Sequence, residues 1–184
     1  ADRTDIVIVS DHGFLPLEKQ LHPNVVFKRE GLIRTNASGT ITDWQVYFKS
    51  NGGSGFVYLR NRDDQALKQR VRGLLEALAA DPANGIEKVW DETELADAGA
   101  AADAVFALTM KPGFYAGGGH TELLTSLGSR GGHGFDPNRP ELHASLIMAG
   151  PSVARKGDLG VVRMSQIAPT IARWFDVQLD PKAD

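Results

Sequence analysis

Ile6-Val7-Ile8-Val9-Ser10-Asp11-His12-Gly13 is the stretch on which the fold turns. Four β-branched residues in a row read as a strand buried on both faces. The run stops at a carboxylate and an imidazole, and a glycine follows. Open α/β sheets bind ligands outside the carboxyl ends of their strands, so Asp11 and His12 stand where chemistry is expected. Successive side chains of a strand point to opposite faces. The two can converge only where the strand ends and the backbone turns, which Gly13 permits. A strand-end Asp bonded to backbone amides, beside a surface His, is the plainer reading of the same three residues.

The chain's 184 residues suit one domain, or one core with a sizeable insertion. A hydrophobic fraction of 42% supports a core, and 23% charged residues is ordinary for a globular chain. The net charge of −3 argues against a nucleic-acid surface, and the cations Arg60, Arg62, Lys68, Arg70 and Arg72 are scattered. No apolar run approaches the roughly 18 residues of a membrane helix, and no signal-peptide pattern opens the chain. With no cysteine, disulfides and thiolate metal sites are excluded.

The periodicity predicts a first strand over Asp5 to Ser10, then a loop carrying Pro16 and Pro23. Asn24 is expected to cap a short helix reaching Gly31. Thr40 to Lys49 and Phe56 to Leu59 read as the strands of a hairpin around the turn Asn51-Gly52-Gly53-Ser54-Gly55. Asp63 or Asp64 caps the clearest helix, which runs to about Ala80 with Leu67, Val71, Leu74, Leu75 and Leu78 on one face. Ile86 to Trp90 reads as a strand, Asp91 to Asp97 as a capped helical turn, and Ala104 to Met110 as a strand. Lys111 to Arg139 is glycine-rich without periodicity, which marks a functional or mobile loop. Leu142 to Ala149 reads as a second buried strand, and Val161-Val162 as a short extended piece. Met164 to Phe175 reads as an amphipathic helix with Ile167, Ile171, Trp174 and Phe175 inward. The residues from about 44 to 89 form a candidate α+β subdomain inserted between core strands.

Five histidines are present. His133, set between glycines in Gly132-His133-Gly134-Phe135-Asp136, has the close backbone access of a ligand, although a plain glycine loop explains it equally well. His143 and Asp136 are candidates for an outer shell or for substrate contact. His120, after three glycines, could reach substrate. His22, beside Pro23, is expected at the surface. Histidine and aspartate without cysteine suit zinc, manganese and similar ions. Two such ions held roughly 4 Å apart are a known device for phosphoryl displacement. No Gly-x-Ser-x-Gly elbow frames Ser10 or Ser129, and the triple glycine lacks the lysine of a phosphate loop.

Taken together, the motifs resemble a known family. Val9-Ser10-Asp11-His12-Gly13-Phe14 resembles the "SDHGM" metal motif of the alkaline phosphatase-like superfamily. Gly132 to Pro137, followed by Leu142-His143-Ala144 and Met148 to Pro151, resembles the "HGYDN…MHAxFxAxGP" signature of its type I phosphodiesterase/nucleotide pyrophosphatase branch. Lys111-Pro112-Gly113-Phe114 is similar to that branch, and Ile167 to Ile171 resembles its "DIAPTI" helix. Pro137 stands where the family has Asn, and Leu142 where it has Met. Neither change removes a ligand.

The resemblance implies an α/β, alkaline phosphatase-like mixed sheet with flanking helices. It implies hydrolysis of a phosphodiester or nucleotide pyrophosphate, with two divalent ions, most simply zinc. Asp11 and His12 would serve one ion and His133 the other. The family's Thr or Ser nucleophile and its Asp-x-x-x-His ligands lie before the "SDHG" strand, where only ten residues precede Asp11. The chain is therefore expected to be the C-terminal part of a longer enzyme, without significant catalysis alone. A periplasmic or secreted location is implied by resemblance only. Rival expectations are a phosphate or phosphonate monoesterase or sulfatase-like enzyme of the superfamily, and a non-catalytic metal-binding or scaffold module.

Overall fold

The computed structural model describes residues 4–179. In chain order the strands and helices are β1 (Ile6–Val9), β2 (Leu15–Leu21), α1 (Asn24–Arg29), β3 (Ile33–Thr35), β4 (Ile41–Trp44), β5 (Val46–Ser50), β6 (Ser54–Leu59), α2 (Gln65–Ala80), β7 (Ile86–Asp91), α3 (Glu92–Asp97), β8 (Phe106–Met110), β9 (Gly113–Ala116), β10 (Leu124–Gly132), β11 (Leu146–Ala149) and α4 (Ile167–Trp174). The chain divides into two compact units. One runs from His12 to Ala144, and the other joins the residues up to Asp11 with those from Ser145 onward.

The larger unit holds a four-stranded antiparallel sheet in the order β5-β6-β8-β7. The predicted hairpin forms its first two strands, with the Asn51 N–H donating to the Ser54 carbonyl at 2.9 Å across the turn. All five residues of β8 are buried, as a strand with partners on both edges requires. Helix α2 is capped by Asp64, whose side chain accepts from the Leu67 N–H at 2.9 Å. It buries Val71, Leu75 and Leu78, three of the five residues on the predicted face. These join Phe27, Phe48, Val57, Leu108 and Met110 in one core. Asp91 caps α3 through a capping box with Glu94, also as expected.

Several expectations are corrected. The proposed loop before Pro23 is the strand β2, and the supposedly structureless 111–139 stretch contains β9 and β10. These three make a second sheet, with β2 parallel to β9 and antiparallel to β10. The pattern of β10 is hidden by a register shift between Ser126 and Arg130. Gly128 sits in that bulge with φ of 64°, a conformation glycine adopts without steric cost. The 40–49 segment is two strands, β4 and β5, with β4 paired to the unforeseen β3. Asn24 does not cap α1, because Pro23 holds that position. It is instead fully buried, and its side chain bonds the Phe48 N–H at 2.8 Å and the Phe48 carbonyl at 2.9 Å.

In the smaller unit β1 pairs antiparallel with β11, Ile6 opposite Ala149 and Val9 opposite Leu146. Neither strand is buried on both faces: Ile6 is 53% exposed, Ile8 57% and Ile147 59%. A two-stranded ribbon has too few neighbours among the described residues to cover both sides. Val161 and Val162 form no strand. Helix α4 half-buries Ile167, Ile171 and Trp174 as expected, but Phe175 lies beyond its end and is exposed.

Candidate functional site

The pairing of β2 with β10 sets Leu15 opposite Gly132. Residues just before β2 and just after β10 therefore emerge side by side. His12 and His133 occupy those two places. Their rings stack with centroids 3.9 Å apart and planes 16° from parallel. Phe14 adds a third ring, 6.0 Å from His12 and 5.9 Å from His133. The His12 Nδ1–H donates to the Gly13 carbonyl at 2.8 Å. A carbonyl can only accept, so neutral His12 carries its lone pair on Nε2. A backbone carbonyl that holds one ring nitrogen in this way fixes the ring's orientation and leaves the other nitrogen as the donor a metal would use. The Gly13 N–H in turn donates to the Leu142 carbonyl at 2.8 Å, which holds the start of β2.

The other candidates fall elsewhere. Asp11 follows β1, is exposed, and belongs to the smaller unit. His120 is half-buried and its Nε2–H donates to the Gly39 carbonyl at 2.8 Å. The Asp136 carboxylate closes a local turn, accepting from the Asn138 backbone N–H at 2.9 Å and from its side-chain amide at 3.0 Å. His143 is exposed just after the short 3-10 turn Pro140–Leu142. Among the described residues, no three His, Cys, Asp or Glu side chains form a group able to hold a metal ion.

His22 corrects another expectation. It is half-buried rather than at the surface, and its Nδ1 accepts the Gly119 N–H at 2.9 Å. That leaves Nε2–H to donate to the Thr125 hydroxyl at 3.2 Å. Burial pushes its pKa below the usual histidine value, against the opposing pull of Glu122 and of the Gly117 backbone. The signal for Phe14 in the sequence is its position directly after Asp-His-Gly.

The paired histidines supply two nitrogen donors, and the donor chemistry fits a borderline cation such as zinc.

Residues 1–136 match the family described as type I phosphodiesterase / nucleotide pyrophosphatase. Among solved structures, human ectonucleotide pyrophosphatase / phosphodiesterase 5 has the same fold, with a TM-score of 0.61 at 12% sequence identity. That alignment covers 98% of this chain and 42% of the human one, so the chain spans less than half the length of that relative. No curated protein sequence matches. The fold is thus α/β and alkaline phosphatase-like. With nearly three quarters of its residues inside the family match, the chain belongs to the type I phosphodiesterase / nucleotide pyrophosphatase family.

Proposed function

We propose that this chain contributes metal-binding histidines to a hydrolase of phosphodiester or nucleotide pyrophosphate bonds. The observation that carries the reading is the His12–His133 stack at the open ends of β2 and β10, with the tautomer of His12 fixed by the Gly13 carbonyl. His12 would help hold one divalent ion and His133 a second, zinc being the best match to these donors. Ions bound there would supply Lewis-acid polarisation of the phosphoryl oxygens. The chain's own part is to present neutral imidazoles in fixed orientation. The nucleophile, a Thr or Ser by family pattern, would come from a further segment, a reading supported by the 42% coverage of the human relative. A periplasmic or secreted location belongs to the same proposal, and fractionation of the source cells tests it.

The test is metal content and turnover of the full-length protein with bis(p-nitrophenyl) phosphate. Two ions per chain, lost together with activity in His133→Ala, are expected. Undiminished activity in that variant rejects the assignment. The 184-residue chain alone is expected to leave the same substrate intact with added zinc. Measurable hydrolysis by it would show that no further segment is needed.

A further inference from the structure

His133 is exposed and stands in a run with glycine at 131, 132 and 134. Such a backbone has much entropy to lose before it can hold a ring in one place. What fixes it is the β5–β6 turn. The Gly53 N–H donates to the His133 carbonyl at 2.8 Å. On the next residue, Gly134 takes φ of 79° and passes so close to the turn that a Cβ would fall 1.8 Å from the Asn51 carbonyl oxygen. One residue further, the Phe135 ring is only 6% exposed and covers Gly53, where a Cβ would come within 2.2 Å of its Cγ. The turn is itself anchored to the core. The Met110 N–H donates to the Gly53 carbonyl at 2.9 Å and the Ala116 N–H to the Gly52 carbonyl at 2.8 Å. Met110 and Ala116 are both fully buried. An unbroken path of backbone hydrogen bonds thus runs from the core, through the peptide groups of Gly52 and Gly53, to His133.

We propose that the Asn51–Ser54 turn is a positioning element for the His12–His133 pair, with Gly53 and Phe135 as its two positioning residues. It sets the backbone from which the His133 ring reaches His12. The inference rests on the functional reading only for its metal readout, because the ring stack reports on it independently.

The experiment uses the 184-residue chain and the variants Gly53→Ala, Phe135→Leu and Gly73→Ala. Gly73 lies on α2 with open space around it, so its variant controls for a simple glycine change. Two imidazoles at this separation shield each other's ring protons. The wild-type resonances of both should lie upfield, and those of His133 should return towards ordinary positions in His12→Ala. Gly53→Ala and Phe135→Leu, while folded by circular dichroism, should lose that upfield shift and bind zinc about tenfold or more weaker in calorimetric titration. Gly73→Ala should change neither. Retention of the shift in either folded positioning variant, or its absence in the wild type, overturns the proposal. Should Gly53→Ala fail to fold, Phe135→Leu decides alone, since it keeps an apolar group over the turn. A wild type that shows the shift but takes up no zinc leaves the positioning role standing and shows that the pair does not hold the ion without further ligands, the metal reading then being decided by the metal content of the full-length protein.

Discussion

Strands β1 and β8 carry similar apolar runs, Ile-Val-Ile-Val and Phe-Ala-Leu-Thr-Met, yet they end in opposite environments. All of β8 is buried between β6 and β7, while β1 has one partner and leaves Ile6, Ile8 and Val9 about half exposed. The contrast extends to the two units. Every buried hydrophobic residue of the core lies between His12 and Ala144, and every large exposed hydrophobic except Phe14 lies in the other unit. A β-branched run therefore signals a strand, but its burial depends on how many neighbours the topology supplies. The stability of the described residues should reside in the larger unit.

Substitutions in the two units can break that contrast. Phe48→Ala removes a fully buried ring of the larger unit and should cost about 3–5 kcal/mol in denaturant unfolding. A loss below about 1 kcal/mol would mean that this core does not set stability. Asn24→Ala strips the partners from the buried Phe48 N–H and carbonyl and should cost about 2–3 kcal/mol, read from the same transition. Asp64→Ala removes the cap of α2 and should cost about 1 kcal/mol, with helicity by circular dichroism as the check.

A smaller, pH-dependent loss is expected from His22. Its folded pKa is depressed, so its contribution is fully present above about pH 6.5 and is lost as pH falls through the lowered folded value. Protonated Nδ1 can no longer accept the Gly119 N–H. Thermal melts of wild type and His22→Gln should therefore converge on acidification, and curves that stay parallel across that range would contradict the mechanism. Smallest of all, Ile8→Ala in the exposed ribbon should change stability by no more than about 0.5 kcal/mol. A core-sized effect there would show that the ribbon is buried in solution.

Legibility followed local physics. Helix α2 declared itself because an apolar face, an Asp cap and Asp81-Pro82 all agree in one short window. The β5–β6 hairpin was visible for the same reason. Strands β2 and β10 were not, because Pro16, Ser126, Ser129 and repeated glycines erase the period-2 pattern that marks a strand. Their pairing is made by backbone groups far apart in sequence. At the candidate site His12 and His133 could each be named from composition and motif, but that their rings stack needed the β2–β10 register. Asn24 misled because the residue that caps so many helices is equally able to satisfy a strand from inside a core.

The β2–β10 ladder also has a kinetic meaning. It joins residues as distant as Leu15 and Gly132, which are 117 positions apart. Closing a loop of that length is an entropic cost met before any contact repays it, and folds dominated by such pairings form in milliseconds to seconds. On a ribosome, His12 would emerge long before its partner. The two imidazoles can meet only after nearly the whole larger unit has been synthesised and its second sheet has closed, so the appearance of their mutual shielding would time one of the last steps of folding.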